Sequence, residues 1–260
     1  MRKVFKVLIG FALVLALSVP MALVGSGEVK AAGEVYINDT NFPDENFRQF
    51  LLGIGGYTTD GSDKYYTQEQ INSIESINCS GKNIESLKGI EHFTALTYLD
   101  CSYNEITSMD LTKNTALEKL YCYYNEITSM DLTKNTALTN LDCSDNQITS
   151  MDLTKNTALT NLDCSYNQIT SMDLTKNTDL KTLLCYNNQM TSLDLSKNTA
   201  LKALFCKENQ ITSMDLTKNT ALQILNCGKN QITSMDLTKN TALTNLDCSY
   251  NQITSMDLTK

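Results

Sequence analysis

The chain of 260 residues contains a single histidine, His92. That scarcity leaves a Ser or Cys nucleophile no other histidine as its base. Glycines occur, but never in the spacing of a loop that cradles phosphate. Positive charge is also in short supply: 21 Lys and Arg stand against 29 Asp and Glu, for a formal net charge of −8. Such a chain lacks the electrostatic footprint that nucleic acid or anionic lipid requires, so neither is expected as a partner. After residue 33 no stretch is apolar enough to cross a bilayer. His92 lies in Ile90-Glu91-His92-Phe93-Thr94 and reads as a surface or turn residue. No catalytic residue, cofactor or metal site is expected.

The N-terminus has the build of an export signal. Arg2, Lys3 and Lys6 form a basic start, and an apolar run from Val7 to Gly25 is broken only by Ser18 and Pro20. Val29-Lys30-Ala31-Ala32 then offers small residues for cleavage after Ala31 or Ala32, which predicts a signal peptide over residues 1–31. The alternative is an uncleaved anchor, which Pro20 and the cleavage-like site disfavour. No cysteine lies near the site, so a lipid anchor is not indicated. Removing Arg2, Lys3, Lys6, Lys30 and Glu28 leaves a net charge of about −11. The mature chain is expected to be secreted or surface-associated, without membrane insertion.

Self-similarity dominates the remainder. Nine cysteines fall at 79, 101, 122, 143, 164, 185, 206, 227 and 248, the first gap being 22 residues and every later one 21. Regular units begin at Leu96 and recur to Leu243; an irregular first unit begins at Ile74. One unit reads Leu159-Thr-Asn-Leu162-Asp-Cys164-Ser-Tyr-Asn167-Gln-Ile169, followed by Thr-Ser-Met172-Asp-Leu174-Thr-Lys-Asn177-Thr-Asp179.

The pattern L-x-x-L-x-C-x-x-N-x-I resembles the leucine-rich repeat, over residues 74–260. Each unit also echoes itself: Ile169-x-x-Met172-x-Leu174-x-x-Asn177 is a weaker copy of its first half. This nesting is similar to the irregular leucine-rich repeats of secreted, internalin-like surface proteins of Gram-positive bacteria. Each half has room for one short strand and its turn, and none for a helix. The expected fold is a β-rich solenoid of about nine coils, the last incomplete, with two parallel sheets. At a strand spacing of about 4.8 Å it would run to roughly 43 Å.

Alternation within each strand points Leu162, Cys164, Ile169, Met172, Leu174 and the leading Leu inward. Each such burial contributes on the order of 1.5–3 kcal/mol before entropy is subtracted, and stacking is what keeps these faces dry. Asn167 and Asn177 fall at turns, where stacked amides satisfy unpaired backbone groups. The cysteines form one inward column with parallel Cβ vectors, which is poor disulfide geometry, and their number is odd. Free buried thiols are expected. Asp110, Asp131, Asp152, Asp173 and their equivalents form an outward column, with Lys113 and its counterparts three residues on expected to offset their repulsion, each pair worth at most about 1 kcal/mol.

Residues 34–73 lack the repeat and are expected to form a small helical cap. Asn41-Phe42-Pro43-Asp44-Glu45 suggests a helix capped by Asn41, with Phe47, Phe50, Leu51 and Ile54 on its apolar face. Thr67-x-x-Gln70 suggests a capping box for a second helix, and Val35-Tyr36-Ile37 a short strand. Asn41 to Leu52 also resembles the N-terminal module of leucine-rich-repeat proteins from Gram-positive anaerobes. Asp60-Gly61-Ser62-Asp63 departs from a calcium loop, since Lys64 intrudes, and reads as a solvated loop.

Comparing the units with one another locates a candidate surface. Ile-Thr-Ser-Met-Asp-Leu-Thr-Lys-Asn recurs almost verbatim, whereas outward positions of the first half vary. The place of Asp163 becomes Tyr121, Leu184 and Phe205; that of Ser165 becomes Tyr123 and Tyr186; that of Asn161 becomes Tyr98. Two candidate binding patches follow, Tyr98 with Tyr121 and Tyr123, rimmed by Tyr103 and Tyr124, and Leu184 with Tyr186 and Phe205. The alternative is drift after recent duplication. The expected function is a non-catalytic module that binds a protein or carbohydrate, in adhesion or host interaction. The alternatives are a passive surface array and the targeting part of a longer enzyme. The chain stops eighteen residues into its last unit, so the open coil is expected to continue into further chain or to pair edge to edge with another copy.

Overall fold

In a computed structural model, residues 33–257 are described. The expected export signal lies outside them. Nine three-residue strands, one per coil, stack in parallel: β4 (Ser76–Asn78), β5 (Tyr98–Asp100), β6 (Lys119–Tyr121), β7 (Asn140–Asp142), β8 (Asn161–Asp163), β9 (Thr182–Leu184), β10 (Ala203–Phe205), β11 (Ile224–Asn226) and β13 (Asn245–Asp247). Their register follows the sequence period, with Leu141 opposite Leu162 and Leu162 opposite Leu183. The chain is a β-solenoid of about nine turns.

The core is a set of columns. Leu159, Leu162, Cys164, Ile169 and Leu174 are buried, as are their counterparts in neighbouring coils. Methionines at the place of Met172 pack less completely: Met109, Met130 and Met172 are half-buried, while Met214 and Met235 are buried. Strand pairing on this second side is confined, among the described residues, to β12 (Ser234–Asp236) with β14 (Ser255–Asp257). The second sheet is therefore thin, and the first one carries the backbone ladder.

Turns are closed by two asparagine columns of unequal quality. Asn167 donates to the carbonyls of Cys143, at 2.9 Å, and Cys164, at 3.2 Å, and accepts from the amide of Ile148 at 2.9 Å. Asn177 donates to Leu153 at 3.1 Å and to Asn156 at 2.8 Å, but its own carbonyl oxygen is buried without a partner. The same holds at Asn114, Asn135, Asn156, Asn198, Asn219 and Asn240. A buried acceptor left unpaired is costly, so the second column closes its turns less favourably than the first.

Ahead of the coils lie β1 (Val35–Tyr36), α1 (Glu45–Ile54), β2 (Thr58–Asp60), β3 (Asp63–Tyr66) and α2 (Gln68–Ser73). β1, β3 and β2 form an antiparallel sheet, so this segment is not purely helical. Asp60-Gly61-Ser62-Asp63 is a hairpin tip, with Gly61 at φ 56°. Thr67 and Gln70 make the capping box of α2. The cap of α1 is Asp44 and not Asn41, whose amide instead donates to Tyr36 at 2.8 Å. Asp44 wins because its two oxygens do separate work: Oδ1 accepts from Phe47 at 2.8 Å, and Oδ2 from Glu85 and Ser86 of the first coil at 2.8 and 3.0 Å. Phe47 and Leu51 are buried, while Ile54, at the helix end beside Gly55, is 47% exposed. Gly89, at φ 104°, lets Phe42 close on the first coil, since a Cβ there would lie 2.2 Å from the Phe42 ring.

The first turn, Cys79 to Ile84, is as long as Cys101 to Ile106, but its Asn83 stands one place later than Asn104 does. Both Gly81 and Asn83 are left-handed, and Asn104 of the next coil serves the amides of Lys82 and Ile84, each at 3.0 Å. Among the described residues no helix is long and apolar enough to cross a membrane.

Candidate functional site

Each strand of the nine presents x-Leu-x, or x-Ile-x in β4, so one side chain is driven inward and its two neighbours face outward. The variable positions are these outward neighbours and the residues of the turn that follows. The first patch forms two ring groups. Tyr98 and Tyr121, from adjacent strands, have centroids 5.6 Å apart. Tyr103 stacks on Tyr124 at 4.8 Å and meets Tyr123 edge-on at 5.1 Å. Tyr103 and Tyr124, expected only at the rim, are 53% and 51% exposed and form the outermost part of the patch.

Leu184, Tyr186 and Phe205 do come together, lining a groove of 340 Å³ with Tyr166, Asn187, Lys207 and Glu208. Tyr166 meets Tyr186 edge-on at 5.2 Å. Sequence reasoning missed Tyr166 because its column varies through Asp145, Asn187, Glu208 and Lys229 without an obvious class. Structure supplies the common feature: Tyr103, Tyr124, Asp145, Tyr166, Asn187, Glu208, Lys229 and Tyr250 all have φ between 51° and 57°. A tyrosine in this left-handed region is strained, whereas Asn tolerates it. Such strain clusters where a side chain is presented for use.

Between the aromatic groups the face is acidic. Asp142 and Asp163 are register partners in β7 and β8, and Asp145 lies in the following turn. Tyr121, Asn140, Asp142, Asn161, Asp163, Thr182 and Leu184 line a second, smaller groove of 150 Å³. Oδ1 of Asp142 accepts from Ser144 Oγ at 2.7 Å, and Oδ1 of Asp163 accepts from Ser165 Oγ at 2.5 Å. Burial raises the carboxyls of Asp145 and Asp163, with the Asp142 charge adding to it. The Asp145 charge in turn raises the phenol of Tyr124. Within the lining of the first groove, Glu208 pairs with Lys229 at 2.5 Å and Lys207 at 3.7 Å, and the bond from Lys229 holds its carboxyl below the usual range.

The invariant acidic column behaves differently from expectation. Asp110 accepts from the Thr112 hydroxyl at 2.6 Å and amide at 2.9 Å, and Asp131, Asp152 and Asp173 repeat this. These local bonds lower its carboxyl, with Lys113 a smaller contributor. An Asp bonding to the chain two residues on is an intrinsically local turn device, which a flexible lysine does not displace.

All nine cysteines are free, and those from Cys79 to Cys227 are buried. Burial pushes the Cys164 thiol well above its ordinary value, which makes it an inert packing group. His92 closes a 3-10 turn, Ile90–His92, and packs edge-on against Phe42 at 5.8 Å. Among the described residues no group of three or more His, Cys, Asp or Glu is placed to hold a metal.

Residues 136–177 match the family described as leucine-rich repeats (2 copies). Over 84 residues the chain is 39% identical to Internalin J of Listeria monocytogenes serotype 4b (strain F2365), a stretch making up 32% of this chain and 9% of that protein. The solved functional domain of InlJ from Listeria monocytogenes, described as including a cysteine ladder, is similar at TM-score 0.81 and 38% identity. That match covers 89% of this chain and 51% of the solved one. Internalin C2 from Listeria monocytogenes str. 4b F2365 shares the fold at TM-score 0.63 and 23% identity, over 87% of this chain and 99% of that one. The chain thus spans about half of the similar InlJ domain and a tenth or less of the curated relative.

Proposed function

Since the chain is a leucine-rich-repeat protein similar to the Listeria internalins, we propose that it is a non-catalytic protein-binding module of a secreted or cell-surface bacterial protein. Its role is adhesion or surface interaction through the outward face of its nine-stranded sheet. Leucine-rich-repeat relatives of this kind suggest protein binding, and internalin-like proteins are typically surface or secreted. The observation that carries the reading is where variation falls. Units that repeat almost verbatim on one side differ on the other, and the differences place Tyr98, Tyr121, Tyr123, Leu184, Tyr186 and Phe205 on one surface. Rigid aromatic side chains give large contact area at low entropic cost, as recognition surfaces need.

The test is selection from a displayed library of extracellular protein fragments. Fragments selected by the native protein are expected to lose binding when Tyr121, Tyr123, Tyr186 and Phe205 are replaced by Ser. They are expected to keep binding when Thr112, Thr133 and Thr154, on the invariant side, are replaced by Ser. Binding that survives the first set and fails with the second would move the site to the opposite face. A passive surface array predicts that no fragment binds saturably.

A further inference from the structure

The two grooves share Leu184, and they differ in character. The smaller is walled by Tyr121 on one side and by the carboxylates of Asp142 and Asp163. The larger is walled by Tyr166, Tyr186 and Phe205. In each of the two acids Oδ1 is spent on the serine two residues later. Among the described residues the ion pairs of this face are those of Glu208, so Asp142, Asp145 and Asp163 have no cation within pairing distance. Strand register places Asp142 and Asp163 one coil apart, about 4.8 Å. Like charges this close, partly withdrawn from water, favour a cation between them. The neighbouring Tyr121 ring adds a face on which a guanidinium or ammonium can rest.

We propose that this face docks a protein segment carrying a basic side chain and, about three residues further on, an apolar one. The basic group lies between Asp142 and Asp163, and the apolar group packs against Leu184, Tyr186 and Phe205. The spacing follows from the column Asp142, Asp163, Leu184, Phe205, which steps one coil at a time. The midpoints of its two halves are two coils apart, about 9.6 Å, and an extended peptide covers that in about three residues. Charge complementarity selects the occupant. A neutral glycan stacks on tyrosine without needing the paired acids, and an acidic segment is repelled by them. This inference rests on the binding face proposed above and adds the chemistry of its partner.

The experiment titrates the protein with three blocked hexapeptides, Ac-Gly-Arg-Gly-Gly-Phe-Gly-NH2 and its Glu-for-Arg and Ala-for-Phe forms, followed by NMR. The Arg–Phe peptide is expected to saturate at low salt and to weaken at high salt. The other two are expected to bind at least about tenfold more weakly. In the protein, the double variant Asp142→Asn/Asp163→Asn is expected to weaken the Arg–Phe peptide about tenfold and to remove the salt dependence. It folds by the chain's own precedent: Asn226 and Asn78 occupy the same column and still accept from the amide two residues on, at 3.2 and 3.1 Å. Phe205→Ser is expected to equalise the Phe and Ala peptides while keeping the salt dependence.

Equal binding of the Arg and Glu peptides, an unaffected double-Asn variant, or displacement of the Arg–Phe peptide by chitotetraose would each overturn the proposal. If displayed fragments lose binding to the four-Ser protein but not to the double-Asn protein, the face stands and this account of its partner falls. If they lose binding to neither, both fall.

Discussion

The left-handed column offers a perturbation whose sign depends on competing effects of known size. Tyr250, at φ 54°, is 81% exposed, and among the described residues no aromatic contact holds it. Replacing it with Asn trades a side chain that dislikes this conformation for one that tolerates it. The left-handed region costs an ordinary L-residue about 1–2 kcal/mol, and Asn recovers part of that. Tyr250→Asn is therefore expected to stabilise the protein by about 1 kcal/mol, or roughly 2–4 °C in Tm for a domain of this size. Tyr166, at φ 51°, has the same backbone strain but also meets Tyr186 at 5.2 Å. An edge-on ring contact is worth about 0.5–1.5 kcal/mol, which nearly cancels the backbone gain. Tyr166→Asn is accordingly expected to leave stability within about 0.5 kcal/mol while removing a wall of the larger groove. Urea unfolding followed by circular dichroism measures both. The reasoning is refuted if Tyr250→Asn lowers the urea midpoint, because the left-handed tyrosines would then be a stabilising feature and not strain retained for binding.

Three further outcomes follow from the geometry. Gly89→Ala forces a Cβ to within 2.2 Å of Phe42 at φ 104°, and is expected to cost more than about 2 kcal/mol, whereas Gly53→Ala in α1, with nothing within 4 Å, should gain about 0.5–1 kcal/mol; thermal melts compare the pair. Asn167→Ala removes both a donated and an accepted bond to the preceding coil and is expected to cost about 2–4 kcal/mol; Asn177→Ala, which also removes an unpaired buried carbonyl, should cost less, and a reversed order in urea midpoints would contradict the two-column account. A carboxyl raised in the folded state, as at Asp163, binds more protons folded than unfolded, so its contribution is present in acid and is lost as pH rises through the folded value. Asp163→Asn should thus raise Tm at pH 7, with the gain shrinking as pH falls toward the ordinary carboxyl value of about 3.9. The lowered carboxyls of Asp110, Asp131, Asp152 and Asp173 work in the opposite sense, so the protein as a whole should lose stability in acid.

A 21-residue period specifies a solenoid because equivalent side chains must stack once one coil has closed. Leu162, Cys164 and Ile169 could be placed inside from alternation alone, and the outward neighbours of Leu162 could be named as a face. Asp60-Gly61 carries a readable turn signal, yet weighing it only as a calcium loop or a solvated loop leaves out the hairpin that β2 and β3 form around it. The cap of α1 was misplaced by three residues. Both Asn41 and Asp44 are good caps, and the choice rests on the amides of Glu85 and Ser86, about forty residues away.

Local chemistry in the chain, repeated at constant spacing, was enough to establish the coil, its inward columns, its free cysteines and the side that varies. Long-range packing was needed for the rest. It made the second sheet thin, turned the tyrosines of one column into left-handed outliers, and joined Tyr166 to Tyr186 and Asp142 to Asp163. The reason is that periodicity reports which residues are equivalent, whereas strain, pairing and groove shape depend on the distance between neighbouring coils, and no single coil encodes that distance.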